Sequence, residues 1–161
     1  MKTIRQFTAL ALSLALTSTA FAGIGSDKAV YMGGTAALKT GKEGVLDCTG
    51  TENAVFRVKK ATEISIPYSA VTSIEYGQKA GRRVGAAIAT TILVSPVGLA
   101  LLLSKKRNHI VTVGWTVDGK NEGAVFEVGK DVIRQTLVSL EARTGKKVEY
   151  ESEDAKKNIG K

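Results

Sequence analysis

The chain has 161 residues, enough for one domain. With 43% apolar and 24% charged residues it is too apolar to be a disordered chain. Its single Cys and single His exclude an intrachain disulfide framework and the usual His/Cys zinc sites. The excess of 23 Lys+Arg over 15 Asp+Glu gives a formal charge of +8, which makes an anionic surface worth seeking among partners.

The N-terminus carries Lys2 and Arg5, then the apolar run FTALALSLAL at 7–16, then Ala20-Phe21-Ala22 before Gly23. A basic start, a core of about ten apolar residues and an Ala-x-Ala site form a secretory signal peptide, expected at 1–22. The run is too short to cross a bilayer of about 30 Å as a helix. The short basic start and Ala-Phe-Ala site look bacterial, so the expected location is exported, periplasmic or extracellular. A lone Cys suits an oxidising compartment.

Five strand candidates follow, at residues 36–39, 45–49, 54–59, 64–66 and 71–76, separated by Gly, Asn and Pro turn signals. Their spacing is that of an antiparallel meander. Residues 84–103 (VGAAIATTILVSPVGLALLL) then run twenty positions without a charge. Strands six and seven are predicted at 110–116 and 124–128, joined through the Asp118-Gly119 hairpin signal. A helix is predicted over 131–144. Ile133, Leu137 and Leu140 form its apolar stripe, Val138 widens it, and Gly145 stops it. Residues 151–161 are charged, poor in apolar side chains and expected to form a flexible tail.

Seven antiparallel strands followed by one amphipathic helix resemble the pleckstrin-homology-like barrel, and more narrowly bacterial proteins close to the GRAM group. The stretches that carry the resemblance are Tyr31-Met32-Gly33-Gly34-Thr35, IPYSAVTSIEYG at 66–77, AVFEVGK at 124–130 and LEARTGK at 140–146. The resemblance implies two orthogonal antiparallel sheets plugged by the C-terminal helix, spanning residues 23–150 around the apolar insert. It does not carry phosphoinositide recognition across. The loop between the first two strands offers only Lys39 and Lys42 beside Glu43, and the single Trp, Trp115, sits in a strand rather than the helix. A fold that serves many kinds of binder does not decide the ligand.

The insert is the most informative segment. Twenty helical residues reach about 30 Å, enough for one membrane span. A single span would place strands one to five on one side of the bilayer and six and seven on the other, where they cannot pair. Ser95-Pro96 near the middle favours a helical hairpin instead, each arm about 13 Å long. Gly81, Gly85, Ala86, Ala87 and Ala89 on the first arm, with Gly98 and Ala100 on the second, would let the arms pack closely. Ile88, Ile92, Leu93, Val97, Leu99, Leu101, Leu102 and Leu103 are the expected membrane contacts. Lys79, Arg82 and Arg83 before the run, with Lys105, Lys106 and Arg107 after it, would face anionic headgroups. Two other fates are open to the hairpin: a homo-oligomer interface or burial against its own barrel.

No acid, base and nucleophile set stands out. His109 lacks a Ser, Cys or second His as partner in the sequence, Cys48 fits a buried strand position, and Asp47, Glu63 and Glu75 are scattered. The glycines at 77, 81 and 85 lack the Lys-Ser/Thr of a phosphate loop, and no basic-aromatic motif for nucleic acid is present. The expectation is therefore a non-enzymatic exported binding or scaffold module without cofactor or metal. It would be associated with a membrane through the hairpin; the alternative is a structural or assembly protein that uses the hairpin as a subunit interface.

Overall fold

A computed structural model describes residues 28–59, 61–78, 108–157 and 159. Its strands are β1 (Lys28–Gly34), β2 (Lys42–Asp47), β3 (Asn53–Val58), β4 (Ala61–Pro67), β5 (Val71–Gly77), β6 (His109–Val117), β7 (Lys120–Val128) and β8 (Val148–Tyr150). A 3-10 turn, Tyr68–Ala70, joins β4 to β5. Helix α1 spans Ile133–Thr144 and α2 spans Glu153–Lys157. The fold is mainly β, and its strands make one open sheet in the order β4-β3-β2-β1-β7-β6-β5-β8. All pairings are antiparallel except β5 with β8.

Alternation builds one wall of the core. Ala54 and Phe56 on β3, Ile64 and Ile66 on β4, and Val111, Val113 and Trp115 on β6 all face one buried cluster. A register shift between Val71 and Ser73 lets β5 turn Val71, Ile74 and Tyr76 to the same side despite their uneven spacing. The sheet is strongly curled. β3 and β7 are three strand steps apart, about 14 Å along a flat sheet, yet the Phe56 and Phe126 ring centroids lie 5.2 Å apart. Tyr31 completes the trio, edge-on to Phe126 at 6.0 Å.

Helix α1 closes the concave side with Ile133, Leu137 and Leu140, the stripe expected from their spacing. It begins two residues later than predicted, because Val132 and Ile133 both donate backbone N–H groups to the Gly129 carbonyl in a preceding turn. Gly145, at φ 67, ends it as expected, and its N–H reaches the Glu141 carbonyl. Val138 does not widen the stripe. It is 59% exposed, and Thr136 and Ser139 take the flanking buried positions. Arg143 ties the far end of α1 to the sheet: it donates to the Thr49 carbonyl at 3.0 Å and lies over the Tyr68 ring at 5.7 Å.

Three sequence expectations need correction. The first strand is Lys28–Gly34, not residues 36–39, which are a bend at 36–37 followed by irregular chain. β1 hides from a period-two search because Ala29 and Tyr31 are buried on one face and Met32 on the other. The described strands number eight, not seven. β8 has only three residues and is held by tertiary bonds, among them the Val148 N–H to Glu141 Oε1 at 2.8 Å. By hydrogen bonding the strands form one open sheet rather than two separate ones. Within 151–161, α2 forms and buries Ala155. The hairpin expected over 84–103 lies outside the described residues.

Candidate functional site

Strand β5 ends at Gly77 and β6 begins at His109, on neighbouring strands of the same sheet end. Gly77 of β5 pairs with Ile110 of β6, and Tyr76 with Val111. Antiparallel partners sit about 5 Å apart, Cα to Cα. Both ends of segment 79–107 are therefore anchored side by side.

A collar of polar contacts fixes these anchors. The Tyr76 hydroxyl meets His109 Nδ1 at 2.7 Å, and the two rings stack at 6.0 Å and 20°. Burial pushes the Tyr76 hydroxyl up to about 12, so it keeps its proton. His109 is itself buried; burial and then the nearby Lys130 charge hold its pKa below the usual imidazole value. The direction of this bond follows the imidazole tautomer: Nδ1 accepts when the ring proton is on Nε2 and donates when it is on Nδ1. Tyr150 of β8 packs edge-on against Tyr76 at 6.0 Å and 70°. The Glu151 N–H donates to the Tyr76 carbonyl at 2.8 Å, and Glu151 Oε2 accepts the Gln78 N–H at 3.0 Å. Gly77 leaves room for this bridge: a Cβ there would sit 2.8 Å from Glu151 Oε2, so the carboxylate would have to shift.

The collar is chemically quiet. It satisfies polar groups on Tyr76, Gln78 and His109. The other candidates are placed plainly too. Cys48 is buried, and burial foremost pushes its thiol up to about 12, as suits a small core side chain. Asp47 pairs with Arg57 and accepts from the Thr49 backbone and hydroxyl. Burial raises its carboxyl pKa, but those hydrogen bonds and the Arg57 charge outweigh it and the net shift is downward. Among the described residues no group of three or more His, Cys, Asp or Glu could hold a metal ion. Nor is any described helix long and apolar enough to cross a membrane.

The expected lipid-facing apolar residues and the six basic residues all fall in 79–107, outside the described residues. What the structure adds is the placement of the segment's two ends. The collar is hidden in the sequence because the partner of His109 is a Tyr across the strand pair, not a Ser, Cys or second His. Its one available signal was the position of Tyr76 and His109 on the two sides of the insert. No protein-family model matches the chain, and no curated protein matches it in sequence.

Proposed function

We propose that this chain is an exported, non-enzymatic binding or scaffold module of the pleckstrin-homology-like type. Residues 84–103 and their basic flanks associate it with a membrane. The fold assignment is supported by seven antiparallel strands in chain order, a curled sheet, and a helix packed into its concave side.

The Gly77–Ile110 pairing is the observation that carries the membrane reading. A segment whose ends emerge side by side crosses a bilayer an even number of times or not at all. Two crossings need about 40 helical residues, and the uncharged run has twenty. A shallow insertion into one leaflet is what remains for a membrane element. Lys79 follows Gln78, and Arg107 precedes Asn108, so both basic flanks start from one end of the sheet. Each well-placed cation near an anionic surface is worth about 1 kcal/mol.

The test is co-flotation of residues 23–161 with vesicles of phosphatidylglycerol and phosphatidylcholine against phosphatidylcholine alone, across a salt series. Flotation that needs the anionic lipid and weakens with salt supports the reading. A protein that stays at the bottom with both lipids as a concentration-dependent oligomer replaces it with the assembly reading.

A further inference from the structure

A half-enclosed cavity of about 230 Å³ lies between α1 and the C-terminal segment that carries β8 and α2. Leu137 and Val138 of α1, Tyr150 of β8 and Ile159 beyond α2 give it an apolar lining. Leu137 is buried, and Tyr150 and Ile159 are half-buried against the core. Val138 is 59% exposed, the most of any large apolar side chain among the described residues. A single exposed Val on a flat surface is ordinary, but one that lines a cavity is a wall for an apolar guest. The charged lining is Arg134, Lys156 and Glu141, two cations and one carboxylate. Arg134 Nη2 donates to the Ile159 carbonyl at 3.3 Å, and Lys156 Nζ lies 5.6 Å from the centroid of the Tyr150 ring. Both cations are thereby held against the lining. Glu141 Oε1 already accepts the Val148 N–H at 2.8 Å. The balance favours an anion.

We propose that this cavity binds a small apolar carboxylate of the medium-chain fatty acid class. Its hydrocarbon body rests on Leu137, Val138 and Ile159, and its head pairs with Arg134 and Lys156. Size sets the body. An apolar cavity of about 150 Å³ holds benzene, so this one takes a single chain of about eight carbons and not a two-chained lipid. Charge sets the head, because a guanidinium matches a carboxylate with two parallel hydrogen bonds. The site goes beyond the membrane reading and does not depend on it, since its lining lies wholly outside residues 79–107. It also gives work to the C-terminal segment, which supplies Tyr150, Lys156 and Ile159 to the cavity.

The test is titration of octanoate into the full chain, followed by methyl NMR. Saturable shifts are expected at the methyls of Leu137, Val138 and Ile159. Octanol, with the same body and no charge, is expected to bind there at least roughly tenfold more weakly. Val138→Glu sets a carboxylate in the lining at an exposed position, where a substitution spares the fold, and is expected to abolish the shifts. Arg134→Gln/Lys156→Gln is expected to weaken octanoate at least roughly tenfold and to leave octanol unchanged. Should a variant not fold, the comparison of octanoate with octanol in the parent still decides. No saturable shift at these methyls, equal affinity for octanoate and octanol, or undiminished octanoate binding in the folded variants overturns the proposal. Shifts at the same methyls that follow protein concentration without octanoate also overturn it, by assigning the cavity to a second copy.

Discussion

Replacing Tyr76 by Phe isolates the collar. The ring stays, so its stacking on His109 and its edge contact with Tyr150 persist, and only the hydroxyl is lost. That hydroxyl is hydrogen-bonded to His109 Nδ1 at 2.7 Å, between residues 1% and 9% exposed. Removing it leaves the buried Nδ1 without its partner, which costs about 1–3 kcal/mol against a total stability of about 5–15 kcal/mol. Urea denaturation at pH 7.5 of the parent, Tyr76→Phe, His109→Leu and the double variant measures it. The expected coupling is about 1 kcal/mol or more. The pH dependence carries a sign. The folded-state pKa of His109 is depressed, chiefly by burial, so unfolding favours proton uptake. Its contribution is fully present above the unfolded value near 6.5 and is lost as pH falls through the folded one. Asp47, whose pKa is also depressed, loses its contribution only below the unfolded carboxylate value of 3.8, so the two windows separate. A coupling under about 0.5 kcal/mol, or the same loss of stability below pH 6.5 in His109→Leu as in the parent, would refute the collar.

Three further outcomes are expected. Phe126→Ala empties the centre of the aromatic trio, a fully buried site, and lowers stability by about 3–5 kcal/mol in the same urea assay. Gly34→Ala places a Cβ 2.1 Å from the Gly123 carbonyl oxygen at φ +151, so β1 can no longer pair closely with β7; the variant should expose β7 amides to hydrogen exchange or fail to fold. Cys48 should resist thiol reagents at pH 8 in the native protein and react on adding denaturant, since its thiol is buried and its pKa raised to about 12. Fast native labelling of Cys48 would contradict its placement in the core.

The sequence speaks most clearly where one face of a strand is wet. β3 and β4 alternate buried Ala54, Phe56, Ile64 and Ile66 with more exposed Val55, Arg57, Glu63 and Ser65, and both strands are visible in advance. The Asp118-Gly119 turn is visible too. Its two residues take φ 51 and 74, the left-handed pair that a two-residue hairpin between twisted strands demands. The stop at Gly145 is legible for the same conformational reason. β1 is not legible, because burial on both faces erases the period, and the bulge between Tyr31 and Gly33 shifts its register. β8 is set by long-range partners that a three-residue window cannot contain. At the candidate site, the charge and apolarity of 79–107 can be read from sequence. The pairing that puts its two ends together needs the strand register, and the bond between Tyr76 and His109 spans 33 residues.

The most direct measurement is flotation of residues 23–161 on phosphatidylglycerol vesicles beside a chain lacking 84–103, with circular dichroism to establish that both are folded. The account predicts that the full chain rises with the vesicles and the shortened chain remains below as a folded, soluble domain. It is contradicted if the two chains float equally, or if the full chain stays below as an oligomer that the deletion converts to monomers.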